Sequence, residues 1–226
     1  MLPSRMEVLD KNVASRAKLP GDRAKPGNWQ SRAKRTLDLV FSALLIVFLS
    51  PLLAVVALLV LLFEGQPVIF RRRCVRLDGE FDAFKFRTMH RNADRVLEAD
   101  QTLRRTFHKN FKLKSDPRVT RLGALLRKFS LDELPQLFNV FRGEMSLVGP
   151  RMITAPELKK YGEYQDLLLA VRPGITGYWQ VHGRQEVSYE ERVQMDVEYI
   201  RNWSLALDLK LLCLTPARVI RGRGAY

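Results

Sequence analysis

From Leu39 to Phe63 the chain runs for 25 residues without a charge, almost all of them Leu, Val, Ala, Ile or Phe. No other feature constrains the fold as tightly. As one helix the segment extends about 37 Å, longer than the ~30 Å hydrocarbon core of a bilayer. It argues against a purely cytosolic globule. It also starts too far from Met1, and is too long, for a cleaved signal peptide. No small-residue cleavage site follows, since Glu64-Gly65-Gln66-Pro67 reads as a turn. The segment is expected to be a retained membrane anchor.

Basic residues flank it on both sides: Arg32, Lys34 and Arg35 before, Arg71, Arg72, Arg73 and Arg76 after. A single-pass helix favours an imbalance of basic residues between its two ends. Two basic flanks therefore suggest that both ends return to the cytoplasmic face. Ser50-Pro51, in the middle, is expected to interrupt the helix, because proline lacks an amide donor and clashes with the preceding turn. The Ser50 hydroxyl can serve a freed carbonyl. A proline-kinked spanning helix and a re-entrant hairpin both fit the sequence.

With 38 Lys and Arg against 24 Asp and Glu, the chain carries a formal charge of +14. That excludes an acidic solvating protein and points to a polyanionic partner. Cys74 and Cys213, the only cysteines, give no disulfide framework and no zinc spacing. His90, His108 and His182 are scattered and form no metal motif.

Residues 1–31 read as a mobile basic cytosolic tail, 32–66 as the anchor and 67–226 as one cytosolic-face catalytic domain. Pro67 to Phe70 reads as a short strand, Asp78-Gly79 as a turn and Phe81 to Phe86 as a half-buried strand. Residues 91–113 read as basic and helical. After the break at Asp116-Pro117, Val119, Leu122, Leu125, Leu126 and Phe129 recur at helical spacing, with Arg118, Arg121, Arg127 and Lys128 opposite. Between Gln101 and Lys128 stand nine Lys or Arg and one acid, a pattern expected to lie on anionic headgroups. Ser188 and Glu191 form a capping-box pattern opening a helix to about Asn202. Leu205 to Leu214 is apolar again.

The chemically informative stretch is Ser130-Leu131-Asp132-Glu133-Leu134-Pro135-Gln136. Pro135 fits the first turn of a helix, which places a helix start near Ser130 to Leu134. Asp132 and Glu133 then sit among unpaired amides, an environment that binds phosphate and keeps Asp132 ionised well below neutral pH. Adjacent residues on a helix point about 100° apart, so one carboxylate can attack while the other holds a metal. Acids also cluster at helix starts for capping alone, so spacing by itself does not make this a site.

The run from Ser130 to Val140, followed by Gly143-Glu144-Met145-Ser146-Leu147-Val148-Gly149-Pro150-Arg151, closely resembles the bacterial sugar transferases, the monotopic polyprenyl-phosphate phosphoglycosyl transferases. The likeness extends through Lys34-Arg35-Thr36-Leu37-Asp38, Ser50-Pro51, Lys85-Phe86-Arg87-Thr88-Met89, Asp116 to Thr120, Arg172 to Gly177 and Val181 to Arg184. The resemblance implies two-step transfer of a sugar 1-phosphate from a UDP-sugar to undecaprenyl phosphate. The family's nucleophile maps to Asp132 and its Mg²⁺-binding carboxylate to Glu133. In the family the Asp at the position of Asp38 helps hold a re-entrant helix, which implies a basic partner here. Arg127, Arg151, Lys85 and Arg87 are candidate phosphate contacts, since guanidinium suits bidentate phosphate binding. Pro150 belongs to the same substrate-binding motif. Met152 departs from the family's usual Pro-Arg-Pro.

The expected fold is α+β: a re-entrant membrane hairpin with Asp38, Ser50 and Pro51 at its key positions, surface amphipathic helices and a small strand element. The resemblance implies initiation of exopolysaccharide or O-antigen repeat units with galactose or glucose 1-phosphate. It places the protein at the bacterial inner membrane, with anionic lipids, downstream glycosyltransferases and no nucleic acid as its surroundings. Two other readings stand beside it: a membrane-tethered basic adaptor, and a nucleotide-sugar glycosyltransferase that releases UDP. The second lacks its usual Asp-x-Asp motif here.

Overall fold

A computed structural model of the chain describes residues 28–220 except Lys112, Lys114 and 183–186. Residues 1–27 of the expected tail and Arg221 to Tyr226 lie outside the described residues. The chain divides into two compact units after Ala33, and the second, from Lys34 onward, carries the fold.

Helix α1, Asn28–Glu64, is long and apolar enough to cross a membrane. It continues through Pro51 rather than stopping there. The Ser50 hydroxyl donates to the Val47 carbonyl at 2.8 Å, the acceptor that an amide at position 51 would have served. At the C-terminal end, Gly65 takes a positive φ of 73°. The Arg87 guanidinium then donates to the carbonyls of Glu64, Gly65 and Gln66, satisfying acceptors that a helix end leaves open. Val47 and Phe48, at the middle, are 73% and 78% exposed.

Both halves of α1 pack on the rest of this unit. Ile46 and Leu49 lie against the main core of Phe81, Val140, Met145, Leu147, Tyr199 and Leu211. Val56 and Val60 are buried with Phe86 and Leu126. Polar contacts reinforce the first half. Arg35 donates to the carbonyls of Val140 and Phe141, and Lys34 to that of Val148. Asp38 accepts from the Ser146 hydroxyl at 3.0 Å and the Leu147 amide at 2.9 Å. The expected basic neighbours are present, since Lys34 and Arg35 act on the Asp38 charge, but the Lys34 ammonium makes its direct ion pair with Asp208.

The strand element is larger than the sequence suggests. Strands β1, Ile69–Arg76, and β2, Gly79–Phe86, form an antiparallel hairpin. The first begins later than Pro67 and continues through the arginines. Arg73 is balanced across the exposed face by Glu80 and Asp82. On the other face Cys74 opposes Phe81 and Arg72 opposes Ala83, so Lys85, two residues on, also points inward.

The basic stretch expected as one helix is two, α2, Ala93–Ala99, and α3, Gln101–Asn110. Asp100 separates them and caps the second, accepting from the amides of Thr102 and Leu103. Helix α4, Arg121–Lys128, starts after Thr120, whose hydroxyl accepts from the Gly123 amide. Arg118 is therefore not on its outer face. It is 4% exposed and bound through two nitrogens to Asp116.

A single 3₁₀ turn, Leu131–Glu133, leads into α5, Gln136–Arg142. Strands β3, Ser146–Val148, and β4, Gly174–Thr176, pair in parallel. They approach so closely at Gly149 and Gly174 that a Cβ on Gly174 would stand 2.1 Å from the Gly149 nitrogen. Between them lie α6, Ala155–Leu158, a 3₁₀ segment, Lys159–Tyr164, and α7, Gln165–Leu169. Helices α8, Tyr178–His182, α9, Tyr189–Arg201, and α10, Leu205–Ile220, complete a mixed helix-and-strand fold.

Candidate active site

The helix start expected at Ser130 to Leu134 forms later, at Gln136. Ser130 adopts a left-handed conformation, φ 54°, that ends α4 and turns the chain into the 3₁₀ turn. Asp132 and Glu133 therefore occupy a tight turn ahead of α5 rather than its first turn. Asn139 fastens α5 to β2: its Oδ1 accepts from the Phe84 amide at 3.0 Å and its Nδ2 donates to the Asp82 carbonyl at 2.8 Å. That splice brings the turn opposite Lys85.

Three segments supply cations to the turn. Lys85 Nζ donates to Glu133 Oε1 at 2.6 Å from the inward face of β2. Arg151 Nη2 reaches the same oxygen at 3.2 Å from the loop after β3. Arg127, in the last turn of α4, donates from Nε to the Thr88 hydroxyl at 2.9 Å. That bond is reached because Gly123 lets α4 lie against Thr88, where a Cβ would stand 2.1 Å from the Thr88 carbonyl oxygen.

Electrostatics separate the two carboxylates. Burial alone raises Glu133, but the charges of Lys85 and Arg151 and the Lys85 hydrogen bond hold it well below the usual carboxylate range. Asp132, 6% exposed, moves the other way. Burial raises its pKa and the neighbouring Glu133 charge reinforces the rise, while Lys85, Arg127 and Arg151 pull it back. The environment differs from the one the sequence suggests: Asp132 lies in a buried turn, not among open helix amides, and its pKa is shifted upward. Lys85 is pushed down by burial and by Arg151, against the upward pull of Glu133.

The candidate residues part company here. Asp132, Glu133, Lys85, Arg127 and Arg151 converge. Arg87 does not, because its two terminal nitrogens close the end of α1. Pro150 is fully buried and acts through its backbone, its carbonyl accepting from the Gly174 amide at 2.8 Å and fixing Arg151 beside β4. Met152, 2% exposed, fills the main core.

Several contributors escaped sequence reasoning. Arg72 pairs with buried Glu157 at 2.6 Å, and only its inward register beside Cys74 signals this. Arg151 also lies over the Trp179 ring, 5.8 Å from its centroid, as does Arg192 at 4.9 Å. Asp196, which accepts from the Tyr161 hydroxyl at 2.8 Å, is pushed up to about 7 by burial against the pull of Arg192. No local pattern marks Asp196 or Trp179.

Among the described residues no group of three or more His, Cys, Asp or Glu is placed to hold a metal ion. Mg²⁺ does not need one. It binds through one or two carboxylates while substrate phosphates and water complete its shell. Adjacent Asp132 and Glu133 supply two carboxylates for that shared arrangement, although Lys85 and Arg151 both occupy Glu133 Oε1.

The family model of bacterial sugar transferases matches residues 29–222, and the chain belongs to that family. It is 44% identical over 198 residues to the undecaprenyl-phosphate galactose phosphotransferase of Salmonella typhimurium, covering 85% of this chain and 41% of that one. It is 43% identical over 211 residues to the undecaprenyl-phosphate glucose phosphotransferase of Komagataeibacter xylinus, covering 88% and 38% respectively. Against the exopolysaccharide production protein ExoY of Sinorhizobium fredii, identity is 43% over 199 residues, covering 86% and 88%. The chain thus spans about two fifths of the first two relatives and nearly all of the third.

Proposed function

We propose that the protein transfers a sugar 1-phosphate from a UDP-sugar to undecaprenyl phosphate through a covalent intermediate on Asp132, beginning an exopolysaccharide or O-antigen repeat unit. The observation that carries this reading is the buried Asp132 beside Lys85, Arg127 and Arg151, with Glu133 held ionised by two of those cations.

An oxygen of the Asp132 carboxylate attacks the β-phosphorus, and the bond from that phosphorus to the bridging oxygen breaks. UMP leaves with the bridging oxygen and the electron pair, while the sugar 1-phosphate remains on Asp132. An oxygen of undecaprenyl phosphate then attacks the same phosphorus, forming the lipid diphosphate sugar and releasing the carboxylate. Neither nucleophile has a proton to lose when ionised, so no general base is required. Arg127 and Arg151 flank the turn to take the charge of the diphosphate. Glu133, with Asp132 adjacent, would hold Mg²⁺, which would supply charge neutralisation for the diphosphate.

The relatives include galactose and glucose phosphotransferases, which supports one of those two sugars. The re-entrant anchor belongs to the same reading. Asp38 and Val60, on either side of Ser50-Pro51 and about 33 Å apart along a straight helix, are both buried against this unit. A bend that returns both ends to the cytoplasmic face of the inner membrane accounts for those contacts and for the two basic flanks. Anionic lipids and downstream glycosyltransferases are the partners this location implies.

Incubation of purified protein with UDP-galactose or UDP-glucose and undecaprenyl phosphate tests the assignment through its leaving group. The account expects UMP. Release of UDP instead makes the protein a glycosyltransferase, and no nucleotide release with any UDP-sugar leaves the basic adaptor.

A further inference from the structure

Away from the catalytic turn, a cavity of about 530 Å³ opens beside the C-terminal end of α1. This is within the ~300–1,000 Å³ range of small-ligand sites. Phe63 and Glu64 line it from α1, Arg87, His90 and Arg91 from the segment after β2, and Thr120 and Arg121 from the start of α4. Three guanidinium groups thus share one cavity with a single carboxylate. Among the described residues neither Arg91 nor Arg121 forms an ion pair.

Arg87 is 7% exposed, and although both its terminal nitrogens are bound to carbonyls, its Nε has no partner. Burial, and after it the charge of Arg91, push the Arg87 guanidinium pKa down. A bound anion offsets the repulsion between buried Arg87 and its exposed neighbours Arg91 and Arg121.

The surroundings identify the anion's class. Leu61, Leu62 and Phe63, on the last turns of α1, are 41%, 68% and 73% exposed, so an apolar surface adjoins the cationic one. The cavity is also separate from the reacting groups. Thr88 stands between the lining residues Arg87 and Met89 but directs its hydroxyl to Arg127, which faces Asp132. None of Asp132, Glu133, Lys85, Arg127 and Arg151 lines the cavity, so it is distinct from the catalytic turn.

We propose that this cavity is a headgroup site for an anionic phospholipid, with the phosphodiester among Arg87, Arg91 and Arg121 and the acyl chains along Leu61, Leu62 and Phe63. Such a lipid pins the end of α1 and the start of α4 to the membrane surface, which fixes the depth of the catalytic turn. The proposal concerns binding alone and stands whether or not the transferase reading does.

Purified full-length protein in neutral detergent is titrated calorimetrically with dihexanoyl phosphatidylglycerol, dihexanoyl phosphatidylcholine and inorganic phosphate. Phosphatidylglycerol is expected to bind more tightly than either. R91A/R121A, which changes two exposed side chains, is expected to weaken it about thirtyfold while keeping the wild-type melting temperature. Arg127→Ala is expected to leave it unchanged. Equal affinity for the two phospholipids, or unaltered binding by R91A/R121A, overturns the proposal. Inorganic phosphate binding as tightly as phosphatidylglycerol makes this a plain anion site, and displacement of phosphatidylglycerol by a short polyprenyl phosphate makes it the acceptor's site. Either result also overturns it.

Discussion

Replacing Lys85 by Met removes the 2.6 Å contact to Glu133 while keeping most of the side-chain volume. Both partners are largely buried, at 13% and 17% side-chain exposure. Breaking one side of such a pair leaves an uncompensated buried charge, which costs ~3–5 kcal/mol. Arg151 still reaches Glu133 Oε1, so the lower end applies, about 3 kcal/mol. For a chain of this size that is a fall in Tm of about 6–12 °C. Adding Glu133→Gln removes the stranded charge and is expected to recover much of the loss. A second readout separates stability from chemistry. Lys85 is the strongest of the cations opposing the raised pKa of Asp132, so its removal raises that pKa further. The carboxylate is the reactive form, hence the acid limb of kcat/KM moves to higher pH in K85M. Thermal melts and pH–rate profiles of the three proteins measure both effects. Equal melting temperatures for K85M and K85M/E133Q, with an unmoved acid limb, refute this account of the cluster.

Glu133→Gln keeps the hydrogen-bonding shape but not the charge, and is expected to lower turnover about a hundredfold and to weaken activation by Mg²⁺; full wild-type activity in EDTA makes Glu133 purely structural. Gly123→Ala gains about 1 kcal/mol of helix propensity but forces α4 from the Thr88 backbone, at ~1–3 kcal/mol of overpacking, so a lower Tm together with slower turnover is expected. Single cysteines at residues 30 and 75, in a background free of Cys74 and Cys213, are expected to label only from the cytoplasmic side, and S50A/P51L to shift some molecules to a spanning topology with lower activity; periplasmic labelling at residue 30 of the otherwise unaltered anchor rejects the hairpin.

The features legible in the sequence are those whose cause is local. The uncharged run makes α1, and Ser50 serves the carbonyl freed by Pro51 because the two are neighbours. Ser188 and Glu191 exchange both bonds of the capping box at the start of α9, three residues apart. Alternation along Phe81, Ala83 and Lys85 turns the lysine inward, and it meets a site residue 48 positions away. The same alternation misleads one step later. Arg87 leaves the strand and closes the end of α1, a contact set by tertiary placement. Arg118 misled for a related reason, since Asp116-Pro117 places it before α4, where Asp116 captures it. Asp132 and Glu133 read locally as capping acids, and only the motif around them marks them as a site. Their opposite pKa shifts come from Lys85, Arg127 and Arg151, delivered by three separate segments, so no local pattern carries them.

The central claim is a sugar phosphate carried on Asp132. Intact-protein mass spectrometry of wild type and Asp132→Asn, incubated with Mg²⁺ and the turned-over UDP-sugar but without lipid phosphate, tests it directly. The account predicts a wild-type adduct with the mass of one sugar phosphate, mapped by proteolysis to Asp132 and discharged by undecaprenyl phosphate. It predicts no adduct and no turnover for the variant, which still folds and remains in the membrane. A variant that turns over like wild type, or an adduct mapped to another residue, contradicts it.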